Sequence, residues 1–123
     1  MTQPPSLSDR LRRGDVLAAA CPSREVLRHV TGRWAVLILI VLEEGTQRFS
    51  ALRRRVDGVS ERMLAQTLKH LEHDGLVARV SHAVVPPHVD YTLTPLGEEA
   101  AAHVRRLADW VEANVPQIVA ARG

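Results

Sequence analysis

The chain has little with which to staple or anchor itself. A single cysteine, Cys21, stands among 123 residues, which excludes an internal disulfide framework and fits a reducing compartment. The longest apolar run, "WAVLILIVL" from Trp34 to Leu42, has nine residues, whereas a membrane-spanning helix needs about 20. "VLAAAC", Val16 to Cys21, faintly resembles a lipoprotein cleavage site. Arg12, Arg13, Gly14 and Asp15 directly precede it, however, and leave no apolar stretch for a signal peptide. A cytoplasmic chain without membrane contact is therefore expected. Internal repeats and low-complexity segments are lacking, and the net charge of +2 is too small to identify a partner. No orienting acid or oxyanion loop accompanies the cysteine and the histidines, so an enzyme is not expected. His70 and His73 lie at i, i+3 with no third or fourth ligand evident, so neither a metal centre nor a cofactor is expected.

What is present fits one ordinary globular domain, 46% hydrophobic and 24% charged. Charge placement is more informative than its sum. From Arg48 to His73 six basic side chains stand against three acidic ones, and from Pro95 to Gly123 three stand against four. A basic middle suits contact with an anion.

Along the chain, residues 1–20 read as a loose polar arm, 21–114 as the domain and 115–123 as a tail. Pro22 suits the first position of a helix that ends near Gly32, with Val26, Leu27 and Val30 as its apolar side. "RWAVLILIVLEEG" is apolar all round, and its length favours a central buried helix. "RFSALRRRV" follows, with Ser50 as cap and Phe49, Leu52 and Val56 on one side. Asp57-Gly58 signals a turn, after which Ser60 caps the next helix. In "SERMLAQTLKHLEHDGLV", Leu64, Leu68 and Leu71 form one stripe, and Arg62, Gln66, Lys69 and His73 form the opposite row. "LVARVS" and "HVDYTLT" read as two strands joined by a loop that Pro86 and Pro87 stiffen. Thr94 and Pro95 start a last helix that should run to about Asn114, before Pro116.

The order helix, helix, helix-turn-helix, hairpin, helix predicts a mostly α, winged helix-turn-helix fold with a small β-hairpin wing. The second helix of the pair would enter the DNA major groove, with the hairpin against the backbone. The leucines anchor that helix and the opposite row meets double-stranded DNA. Arg62 can donate bidentately to guanine, and Gln66 matches adenine. Lys69 and Arg53, Arg54 and Arg55 suit phosphates, as do Ser60 and the free N–H groups at the helix start. Ala65 lies between Arg62 and Gln66 on the same groove-facing side.

At this point "CPSREVLRHVTGRWAVLILIVLEEGTQRFSALRRRV", "GVSERMLAQTLKHLEHDGLVAR", "VPPHVDYTLTPLGEE" and "LADWV" can be taken together. They closely resemble the HxlR-type transcriptional regulators over roughly three quarters of the chain, Cys21 to Val111. The specific parts are the Cys-Pro start, Gly-x-Trp before the apolar helix, Arg-Phe-x-x-Leu, the leucine spacing up to Gly75-Leu76, and Val-Pro-Pro-x-Val-x-Tyr-x-Leu-Thr. The resemblance implies a homodimeric DNA-binding regulator without enzymatic activity, dimerised through its N-terminal and last helices. Wings of the family usually carry a basic residue beside the Pro-Pro pair. Here His82 and His88 stand there instead, so wing contacts should be weak at neutral pH and strengthen on protonation.

Independently of any family, Leu96, Ala100, Val104, Leu107 and Val111, with Trp110 adjacent, form a long apolar stripe on the last helix. It suits a two-fold dimer that sets two recognition helices about 34–36 Å apart; the alternative is folding back onto the helical core. Cys21, at an expected N-cap near Arg24, is a candidate redox sensor, and a purely structural cysteine is the alternative. Some HxlR-type regulators sense oxidants or electrophiles at this position. An oxidant or small molecule is thus the candidate effector. Two rival functions remain, a winged-helix protein–protein adaptor and a regulator gated by a small ligand near the last helix.

Overall fold

The computed structural model describes residues 21–123 together with Pro4, Ser6, Leu17 and Ala18; the arm expected over residues 1–20 lies largely outside them. Pro22 opens α1 (Pro22–Val30), and Gly32 is the N-cap of α2 (Arg33–Leu42). The run that is apolar all round is this helix. It buries Ala35, Ile38, Leu39, Val41 and Leu42 and touches α1, the helix-turn-helix, the sheet and the last helix. A helix with neighbours on most sides has little face to leave polar, which explains its composition, although Leu37 is exposed.

A two-residue strand, β1 (Gln47–Arg48), then leads directly into α3 (Phe49–Arg55). The sequence reading expected Ser50 to cap this helix. Instead the cap is Arg48, and Ser50 lies in the first turn, because β1 is held by pairing with a later strand and the chain turns helical as soon as that pairing ends. α4 (Glu61–His73) is capped by Ser60, whose side chain accepts from the Met63 N–H at 3.1 Å. Leu64, Leu68 and Leu71 are buried, as their spacing predicts.

The exit from α4 requires glycine. Gly75 has φ +75°, its N–H donates to the Glu72 carbonyl, and the Leu76 N–H donates to the Leu71 carbonyl, both at 3.0 Å. That pair of bonds is a Schellman closure, with buried Leu76 packing back towards the helix.

β2 (Val77–His82) and β3 (His88–Leu93) form the wing. The sheet has three strands in the order β1-β3-β2, all antiparallel, where only the hairpin was expected; two residues are too few to show an alternating pattern. Tyr91 is buried, Val89 and Leu93 pack on the core, and Phe49 meets the Tyr91 ring at 6.4 Å.

The last helix, α5, runs Pro95–Ala121 with Pro116 inside it. The expected end near Asn114, and with it the separate tail, is not what forms. Pro116 offers no N–H to the Glu112 carbonyl, but this stretch is largely exposed, so water can satisfy that carbonyl. Asn114 Nδ2 also donates to the Trp110 carbonyl at 2.7 Å. At the other end, Thr94 Oγ1 accepts from the Gly97 N–H at 3.0 Å and donates to the Gly75 carbonyl at 2.6 Å. Gly97 itself faces the Leu76 carbonyl so closely that a Cβ there would come within 1.8 Å of its oxygen.

Two apolar assignments change. Val26 and Leu27 of α1 are exposed, not core-facing, and only Val30 of that set packs inward. In α5 the stripe divides: Val104 is buried and Ala100 packs beside it against the domain's own core. Leu96, Leu107, Trp110 and Val111 are exposed. The first half of α5 thus folds back and the second does not. Gly97→Ala should lower stability by about 1–3 kcal/mol, since the Leu76 backbone must shift to admit the methyl group; urea unfolding followed by circular dichroism measures it.

Candidate nucleic-acid interface

Burying the three leucines fixes the rotation of α4, and that rotation decides what faces outward. Arg62, Ala65, Gln66, Lys69 and His73 are all exposed. Among the described residues, Arg62, Gln66 and Lys69 have no side-chain hydrogen bond or ion pair. Ser60 is exposed at the helix start, where the first N–H groups of α4 remain open to an acceptor.

The three arginines of α3 separate. Arg54 is exposed and unengaged among the described residues. Arg53 Nη1 lies 3.5 Å from Glu61 Oε2, which keeps it beside the start of α4. Arg55 is held by Glu44 in a two-pronged pair of 3.0 and 2.6 Å. Arg55 hydrogen-bonds the Glu44 carboxyl and holds it below the usual carboxylate range. Both side chains are about half exposed, so the pair adds little stability. It does, however, give Arg55 an internal partner, Glu44 in the turn after α2, which competes with the phosphate contact expected of this residue.

His82 and His88 are likewise engaged. His82 Nε2 lies 2.8 Å and His88 Nε2 3.9 Å from the same carboxylate oxygen of Asp90. The pattern of alternating residues placed Asp90 on the outer face of β3 but gave no means of seeing that both imidazoles converge on it.

Sequence reasoning missed other groups beside α4. A groove of about 570 Å³ runs between the start of α2 and α4, lined by Arg28, Arg33 and Trp34 as well as Gln66. The Arg33 guanidinium sits 4.5 Å over the Trp34 ring. Two more cations therefore flank the row on α4. At the far end of that helix, His29 Nδ1 is 2.6 Å from Asp74 Oδ2, both side chains buried, and the His29 ring stacks on His70 at 4.5 Å. Of the two histidines at i, i+3, His70 stacks inward on His29 while His73 is exposed.

Cys21 is the N-cap of α1, half-buried, with no side-chain capping bond. Arg24, three residues on, donates from Nη1 to the Leu17 carbonyl at 2.9 Å.

Comparison with known proteins gives this geometry its context. The HxlR-like helix-turn-helix family matches residues 29–119. This chain belongs to that family. The HTH-type transcriptional regulator YtfH of Escherichia coli K12 is 59% identical over 117 residues, covering 95% of this chain and 93% of its own. A solved structure described as a putative transcriptional regulator, ytfH of Salmonella typhimurium, is 62% identical with a TM-score of 0.83 and covers 86% of this chain and 95% of its own. The redox regulator HypR in its reduced form is 31% identical with a TM-score of 0.73, covering 80% and 98%. An HxlR-type chain is a winged-helix transcriptional regulator and not an enzyme, and DNA is its partner. No helix among the described residues is long and apolar enough to cross a membrane.

The His29–Asp74 bond makes a prediction about how α4 is held. Asp74→Ala leaves a buried imidazole without its acceptor and should cost about 1–3 kcal/mol, read as a lower urea midpoint with the slope unchanged.

Proposed function

We propose that this regulator acts as a cytoplasmic homodimer on a pseudo-palindromic operator, with α4 of each subunit in a major groove. The observation that carries the reading is the two-sidedness of α4. Leu64, Leu68 and Leu71 are buried, while Arg62, Gln66 and Lys69 are exposed with no internal partner among the described residues. Arg62 reads guanine, Gln66 reads adenine, and Ala65 can meet a thymine methyl. Lys69, Arg54 and the helix start at Ser60 hold phosphates. A protein–protein adaptor would need an apolar or acidic row here, and the row is basic and amide-bearing.

The dimer is supported by the second half of α5, where Leu107, Trp110, Val111, Val115 and Val119 are all exposed. Contiguous apolar surface of that kind marks an interface. The functional unit on this reading runs from Cys21 to the end of α5 and includes its own dimer contact.

A redox input at Cys21 is the finer reading. It is supported by the thiol's N-cap position and half-burial, and by likeness to a regulator that is named for redox control. A Cys21→Ser protein should lose an oxidant's effect on DNA binding; if the response persists, the cysteine is structural.

Gel shifts against the upstream DNA of the protein's own gene test the main reading. Arg62→Ala and Gln66→Ala should each lower discrimination between operator and random duplex by about 1–3 kcal/mol. Lys69→Ala should weaken every duplex alike and flatten the salt dependence by about 0.9 in the log–log slope. Arg55→Ala should leave affinity near the wild-type value. By light scattering the protein should be a dimer that Trp110→Asp dissociates. Unchanged footprints in both the Arg62 and Gln66 variants would overturn the readout.

A further inference from the structure

The outer face of the wing carries a cluster whose convergence on one carboxylate the DNA-binding reading does not require. In the β2–β3 register His82 pairs with His88 and Val80 with Asp90. His88 and Asp90 are two residues apart on β3, and His82 is directly across from His88. The pleat therefore sends all three side chains to one face. It is the face away from the core, since Val89, Tyr91 and Leu93 take the other.

The geometry is convergent. His82 Nε2 and His88 Nε2 lie 2.8 and 3.9 Å from one oxygen of Asp90. The two rings stack with centroids 4.6 Å apart, and one ligand atom from each of the three residues falls within 4.8 Å of the others. Arg48 stands across from Asp90 on β1 but makes no ion pair with it among the described residues. The carboxylate's short contacts are thus to the two imidazoles.

We propose that His82, His88 and Asp90 form a binding site for a divalent transition-metal cation of the Zn²⁺ class. Two imidazoles and one carboxylate are a donor set for Zn²⁺, Ni²⁺ or Cu²⁺, whereas Ca²⁺ and Mg²⁺ prefer oxygen ligands throughout. Ligand bonds of about 2.0–2.2 Å put neighbouring donor atoms roughly 3–3.5 Å apart. The observed spacings bracket that range, so small side-chain rotations complete the site. The backbone ladder already fixes the three Cα positions, and the side chains are partly exposed, so an ion can enter from solvent. Three protein ligands leave at least one position for water. Binding exchanges the negative charge of Asp90 for a net positive charge at the wing. On the DNA-binding reading this strengthens the hold on a phosphate backbone; that consequence rests on the reading, and the metal site does not.

The test is a calorimetric titration of the full chain with zinc chloride, in the absence of DNA. The expected result is one ion per chain with micromolar affinity. His82→Ala and Asp90→Asn should each weaken it on the order of tenfold or more, with unfolding curves confirming that the variants fold. His73→Ala and Cys21→Ser should leave it unchanged. Histidine side-chain NMR supplies an independent readout: shifts confined to His82 and His88 support the site, and shifts centred on His29 and His70 overturn it. Absence of uptake at micromolar zinc, or folded His82 and Asp90 variants that bind like wild type, also overturns it. A gel shift with and without zinc separates the two proposals. Zinc uptake by a protein that binds no duplex supports the metal site and refutes the DNA reading.

Discussion

The packing of one leucine ridge on one apolar helix is the constraint from which the rest follows. Leu64, Leu68 and Leu71 are fully buried, and so are Ile38 and Leu39 of α2. A shift of one residue along α4 would turn it by about 100° and carry the ridge into solvent. With each of these leucines worth about 2–5 kcal/mol on truncation, the ridge holds a single rotation against any preference of the polar side. Arg62, Gln66 and Lys69 are outward because the leucines are inward. Their positions need no contacts of their own, so their hydrogen-bonding capacity is left for a partner.

The same helix determines where the wing and α5 begin. The Schellman closure at Gly75 turns the chain straight into β2, and Thr94 returns to bond the Gly75 carbonyl. Gly97 then lets the first turn of α5 sit against the Leu76 backbone. One joint therefore connects the end of α4, the root of the wing and the start of the longest helix. Close contact between backbones makes such a joint stiff, since neither partner has a side chain to rearrange.

Much of this was legible in the sequence, and the reason is local periodicity. The leucines repeat at the helical period, and Val89, Tyr91 and Leu93 alternate at the strand period, so each pattern identified its own element and buried face. Ser60 and Thr94 as caps are equally local. What stayed hidden depends on residues distant in the chain. His29 and Asp74 meet across 45 positions and Arg55 and Glu44 across 11, and nothing in either neighbourhood announces the partner. The second pairing gives Arg55, an evident candidate by composition, an internal partner that its own neighbourhood does not announce. The two histidines of the wing illustrate the middle case. Their common face could be read from alternation once the register was known, but the register depends on a five-residue loop whose length no periodic pattern sets.

The division of α5 links the two halves of the functional reading. Up to Val104 the helix is buttressed by α2, and beyond it Leu107, Trp110, Val111, Val115 and Val119 have no cover from their own chain among the described residues. Continuation through Pro116 costs the helix a hydrogen bond, and it extends the apolar stripe by about one turn and a half. If a second subunit covers that stripe, the separation of the two α4 helices is set by a rigid path: from the exposed half of α5, through its buttressed half, to the joint at Gly97 and Leu76, and so to the end of α4. A change of packing anywhere on that path would alter half-site spacing without touching a DNA contact.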